Sequence, residues 1–172
     1  MIQTLLRRVL VVGLLALAPG ACRPRGAESM SAAQKAAITD TLRQLVASAY
    51  DFSTARGDAV GRFMSLYPDS GRVISAASGH ITASRDTLEM QIREFWTNVG
   101  QNMRNPKWTW GETFVEVLSP DAAVLTATYR VPHTTPAGEP HVIGGAMTAV
   151  FERRDGRWVI VHEHLSDAPE LR

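Results

Sequence analysis

The chain has 172 residues, 45% of them hydrophobic, with 18 Lys+Arg against 17 Asp+Glu. That length supports one domain with a proper core and hardly two. A single cysteine excludes an intrachain disulfide, and the lack of any basic run excludes the electrostatic footprint of a nucleic-acid binder.

Arg7 and Arg8 open a short basic segment, followed by the apolar run Val9 to Leu17 and the small-residue stretch Ala18-Pro19-Gly20-Ala21-Cys22. The run is shorter than the roughly 20 apolar residues of a membrane-spanning helix. Basic start, short apolar middle and small-residue end together read as an export signal over residues 1–21. Cys22 stands where a bacterial lipoprotein carries its lipid, although Pro19 occupies the position where such a box usually has leucine. Pro19 also hinders cleavage directly after Ala18. The expectation is a lipid-anchored protein of the bacterial cell envelope, at the periplasm or outer surface. Simple secretion and an uncleaved anchor are the alternatives. Removing residues 1–21 takes two arginines and no acids, leaving 16 Lys+Arg against 17 Asp+Glu and a net charge of −1.

Residues 22–31 are polar and carry breakers, as a tether does. Ser31 is a plausible N-cap for a helix from Ala32 to about Arg56, with Ile38, Leu42, Leu45, Ala49 and Phe52 as its apolar stripe. A short second helix is expected from Asp58 to about Leu66, then strands at Arg72–Ala77 and Gly79–Thr82. Ser84 caps a third helix to about Met103, with Trp96 bordering its stripe, and Asn105-Pro106 stops it. From Lys107 the period switches to two. Strands are predicted at Trp108–Leu118, Ala122–His133, His141–Arg154 and Trp158–Ser166, with tight turns at Ser119-Pro120-Asp121 and Asp155-Gly156. Gly144-Gly145 inside a strand suggests a bulge or sharp bend. The result is an α+β domain over residues 32–167, with N-terminal helices on one face of a mostly antiparallel sheet and a tail at 168–172.

Alternation carries the site reading as well. In the last strand Trp158, Ile160, His162, His164 and Ser166 form one row, with Val159, Val161, Glu163 and Leu165 on the other side. A row that is greasy at one end and polar at the other suits the wall of a small-molecule pocket. Trp108, Trp110, Glu112, Phe114, Glu116 and Leu118 likewise share a face, and a carboxylate against indole rings is a candidate acid or base. Tyr129 either puts a phenol into the cavity or caps the core. His133 and His141 flank a Pro-rich loop and could face each other across it. Spacing brings no carboxylate to that pair or to His162 and His164, so no metal and no cofactor are expected.

The element order, with Gly156-Arg157-Trp158, His162, His164 and Ser166, resembles the nuclear transport factor 2-like superfamily, in its SnoaL-like and ketosteroid-isomerase-like branches. A similar final-strand spacing recurs in the kinase association domain. The resemblance implies a cone-shaped, barrel-like fold: a strongly curved sheet around a cavity, closed by the N-terminal helices and often dimeric through the outer sheet face. Ketosteroid isomerases use a first-helix tyrosine as oxyanion donor, which makes Tyr50 a conceivable counterpart, with no partner acid assignable.

Three functions follow as expectations. The first is a module binding a small, mostly apolar molecule against Trp158, Ile160, Tyr129, Trp110 and Trp96. The second is a cofactor-free isomerase, dehydratase or cyclase moving protons with His162, His164, Tyr50 or Glu112. The third is a dimerising interaction module at the envelope. If the export reading holds, membrane-extracted protein starts at Cys22 and its intact mass carries a diacylglycerol adduct. A soluble product starting elsewhere would refute it.

Overall fold

The computed structural model describes residues 29–52 and 57–168. The export signal, Cys22, most of the tether and the stretch 53–56 lie outside that description.

Helix α1 spans Ala32–Ala49 and begins in a reciprocal cap. Ser31 Oγ accepts from the Gln34 backbone N–H at 3.2 Å, while Gln34 Oε1 accepts from the Ser31 N–H at 2.8 Å. Leu42, Val46 and Ala49 form its buried face, so the predicted stripe holds. The helix stops at Ala49 rather than near Arg56, with Tyr50 as its C-cap. Helix α2 (Ala59–Met64) is capped by Asp58, and strands β1 (Ile74–Ala77) and β2 (His80–Thr82) follow. Helix α3 (Arg85–Asn98) is capped by Ser84 and ends earlier than predicted, in a 3₁₀ turn at Gly100–Asn102. The meander is β3 (Thr109–Ser119), β4 (Ala122–Thr134), β5 (Pro140–Arg154) and β6 (Arg157–Asp167). Positive φ at Asp155 (51°) and Gly156 (79°) closes the last hairpin in the turn its sequence announces.

The six strands form one open mixed sheet in the order β2-β1-β6-β5-β4-β3. β1 runs parallel to β6, and every other neighbouring pair is antiparallel. The core lies between the helices and the inner face, where Leu125, Ala127, Tyr129, Met147, Ala149, Phe151 and Ile160 meet Leu42, Val46, Phe63, Leu66 and Leu88.

Two bulges decide which side chains reach that core, and both correct the predicted faces. In β3, Trp110 pairs with Tyr129 and Thr113 with Ala127, so Gly111 and Glu112 together oppose Thr128. Trp108 and Trp110 therefore pack inward, whereas Glu112, Phe114, Glu116 and Leu118 face outward. In β6, Ile160 pairs with Phe151 and His162 with Val150, leaving Val161 as the extra residue. Trp158 and Ile160 are inside, but His162 and His164 are exposed on the outer face.

Gly144-Gly145 forms no bulge, since β4 and β5 pair without interruption through both. Their role is close approach. A Cβ on Gly145 would collide with the Ser166 backbone carbonyl and come within 3.0 Å of the Tyr129 hydroxyl. At Gly111 the obstacle is only the Thr128 hydroxyl, which another rotamer removes. Gly145→Ala is therefore expected to cost about 2 kcal/mol or more and Gly111→Ala less than about 1 kcal/mol. Urea denaturation of the two variants checks the order.

Candidate functional site

The interior of the cone is aromatic. Tyr50, at the end of α1, lies with its ring centroid 4.3 Å from Trp108, 5.0 Å from Phe63 and 5.4 Å from Trp110. Trp108 stacks on Tyr129 at 4.9 Å, and Phe52 stacks on Trp96 at 5.8 Å. These rings include Trp96, Trp110 and Tyr129, three of the residues expected from sequence to face a ligand. Among the described residues the Trp108 Nε1 is buried without a hydrogen-bond partner.

Beside the rings lies a carboxylate that alternation had placed on the opposite face. The bulge at Val161 turns Glu163 inward, where it is only 2% exposed. Tyr67 donates its hydroxyl to Glu163 Oε2 at 2.8 Å, and Ser75 donates to Oε1 at 2.8 Å. Ser75 reaches it because β1 pairs in parallel with β6, Ser75 opposite Glu163. Tyr67 is held by the segment after α2, whose Leu66 carbonyl accepts from the Ile160 N–H at 2.7 Å. Burial pushes the Glu163 carboxyl above its ordinary value, against the two hydroxyl donors, which favour the ionised form. Burial first, and the Glu163 charge second, push the Tyr50 and Tyr67 phenols well above theirs. Tyr129 is raised as well, by burial and then by Asp167. Such a cluster can hold a proton and donate hydrogen bonds.

Of the residues singled out from sequence, the structure brings Tyr50, Trp110 and Tyr129 together, with Trp96 reaching them through Phe52. Trp158 and Ile160 belong to the same core. His162, His164 and Glu112 do not join them, because the bulges turn all three to the exposed side. Glu163, Tyr67 and Ser75 were missed. The available signal was a lone acid among Val159, Val161 and Leu165, a face too aliphatic for a solvated strand.

Three clefts open on the described surface, and none is lined by Glu163, Tyr67 or Ser75. One, of ≈ 450 Å³, lies between α1 and the β3 bulge at Arg43, Val46 and Trp110. A second, of ≈ 380 Å³, is lined by charges such as Arg85, Glu89 and Arg157, with Arg85 and Arg157 paired to Glu89 and Asp69. The third, of ≈ 270 Å³, sits at the mouth of the cone between the 3₁₀ turn and the far end of the β4–β5 hairpin.

An acid whose folded-state pKa is raised contributes its stability below the unfolded-state pKa, about 4.3 for Glu, and loses it as pH rises through the folded value. Glu163→Gln stays neutral throughout. The stability of wild type relative to Glu163→Gln is thus expected to fall as pH rises above about 4, read from urea midpoints. A rise would mean that Tyr67 and Ser75 outweigh the desolvation.

The sequence profile of the calcium/calmodulin dependent protein kinase II association domain matches residues 36–169. No curated protein matches the chain closely enough to count as a relative. A Xanthomonas campestris protein described as a candidate association domain of that kinase is 27% identical, with a TM-score of 0.54 over 83% of this chain and 91% of that one. A nuclear transport factor 2-like protein of unknown function from Shewanella oneidensis is 22% identical, with a TM-score of 0.56 over 76% and 99%. A candidate scytalone dehydratase from Novosphingobium aromaticivorans shares the fold at 12% identity, with a TM-score of 0.64 over 81% and 89%. Over residues 36–169 the chain belongs to the calcium/calmodulin dependent protein kinase II association domain family, and its fold is that of the nuclear transport factor 2-like superfamily.

Proposed function

We propose that this chain is an envelope-displayed assembly module that docks a second copy of itself on the outer face of its sheet. The observation that carries the reading is the contrast between the two faces. The inner face packs the protein's own rings against one another, whereas the outer face displays Phe114 at 66% exposure and Leu118 at 60%. Exposed side chains of that size, grouped on one strand, mark an interaction surface more readily than a solvated one.

Strand pairing arranges this face in transverse rows. Phe114, Thr126, Thr148 and His164 lie opposite one another across four strands, as do Glu116, Val124, Val150 and His162. Each row runs about 14 Å, from an aromatic or acidic end to an imidazole end. A two-fold axis along the strands reverses the rows, laying Glu116 of one copy toward His162 of the other. That is the self-complementarity an isologous dimer needs. Membership of a family named for association supports the reading. Display by a lipid on Cys22 is part of the same proposal and rests on the N-terminal sequence alone.

The enzymatic alternative has one observation in its favour, the Glu163–Tyr67–Ser75 cluster beside Tyr50. The small-molecule alternative has the ≈ 450 Å³ cleft beside Trp110 in its favour.

Phe114→Glu and Leu118→Glu each place a charge in the proposed interface without touching the core. Sedimentation equilibrium of the wild type is expected to give at least a dimer. Loss of an anchor worth about 2 kcal/mol should weaken association about 30-fold. A wild-type mass at the single-chain value at tens of micromolar would overturn the reading.

A further inference from the structure

We infer that the mouth of the cone is a binding site for a divalent transition-metal ion of the zinc, nickel and copper class, held by His133, His141 and Asn102. His133 and His141 are direct cross-strand partners on β4 and β5, and their ring centroids are 5.0 Å apart at 69°. Both follow the inner-face parity of their strands, continuing the series Tyr129, Val131 and Met147, Gly145, Ile143. They therefore line the ≈ 270 Å³ cleft rather than the outer face.

Two further observations prepare the pair for a metal. The His133 Nδ1 lies 2.9 Å from the Val131 carbonyl. A carbonyl cannot donate, so Nδ1 carries the proton and Nε2 keeps its lone pair for a ligand. Metal-binding histidines are commonly oriented in this way, their other ring nitrogen donating to a backbone carbonyl. Asn102, on the opposite wall, commits its Nδ2 to the Thr97 and Asn98 carbonyls, at 3.3 and 3.0 Å. Its Oδ1, an acceptor, takes no part in those bonds. Two imidazoles and an amide oxygen suit zinc, nickel or copper and not the hard ions calcium and magnesium. Nine residues line the cleft and none is a lysine or arginine, so no fixed cation opposes the ion. With three protein ligands, a coordination position remains open to water or an exogenous donor.

The test is calorimetric titration of the full chain, freed of metal by chelator, with zinc chloride alone and in parallel with inorganic phosphate. One zinc per chain is expected, with thermal stabilisation that grows with zinc concentration. His133→Gln and His141→Gln should each weaken binding by about tenfold or more, the scale seen even for outer-shell partners of metal ligands. Asn102→Asp, which adds a negative charge at the third position, should tighten it. His162→Asn with His164→Asn should leave it unchanged, although that pair lies on the surface proposed for assembly. Loss of the zinc site in the latter double variant, zinc affinity unmoved by His133 or His141, or binding of phosphate in place of zinc would each overturn the assignment. Because none of the three ligands lies in the outer-face rows, failure here leaves the assembly reading standing.

Discussion

Val161 is one residue more than β5 can pair, and the chemistry of the cone depends on that insertion. An extra residue in one strand rotates everything after it to the other face. Here the rotation exchanges two imidazoles for a carboxylate. Glu163 enters an interior of rings and aliphatics, where an unpaired charge would be very costly. It is tolerated because two segments bring hydroxyls to it, Tyr67 after α2 and Ser75 on β1. The same two segments are the ones β6 must hold, through the Leu66 carbonyl and through the parallel β1 pairing. The carboxylate is thus a tie between the meander and the N-terminal half, and its two acceptor oxygens are what makes that tie specific.

The β3 bulge performs the complementary exchange. Gly111 and Glu112 share one partner, so the two tryptophans before them fill the cone and the residues after them, Phe114 and Glu116, turn outward. At Gly111 a Cβ would meet the Thr128 hydroxyl, which would have to turn to another rotamer. Had the alternation continued, the inner face would have received two glutamates, each needing partners of the kind Glu163 has. Instead those charges stay in water, and the aromatic volume is spent on closing the cavity.

Much of this architecture was legible in the chain. Capping residues Ser31 and Ser84, the Asp155-Gly156 turn and the switch from helical to alternating period fix the elements because each acts within a few residues. The nuclear transport factor 2-like superfamily was legible for the same reason, since the final-strand spacing that resembles it is local. Which way a side chain points was not legible beyond each bulge, because register depends on the neighbouring strand. Val161 gives no local sign of being unpaired. Gly111 did give a sign, but Gly144-Gly145 gave a louder one, and that pair proves to mark the passage of the Ser166 carbonyl. The first helix likewise stops at Ala49, although Phe52 continues its stripe in the core, so the apolar spacing outlasted the helix itself.

Two margins of the domain are chemically distinct. The outer face is broad, with apolar anchors and polar rows suited to another protein surface. The mouth is small and lined by nitrogen and oxygen donors on Asn98, Asn102 and two histidines, above a floor of Met103 and Ile143. They do not compete for the same side chains, since parity assigns His133 and His141 to one face of the sheet and His162 and His164 to the other. β4 and β5 nonetheless belong to both, carrying His133, His141 and Ile143 toward the mouth and Val124, Thr126, Thr148 and Val150 toward the outer rows. Any coupling between a ligand at the mouth and a partner outside would therefore pass along β4 or β5. Gly145 is the tightest point of β5, wedged between Tyr129 and Ser166, and a strand pinned there cannot slide without moving the aromatic core.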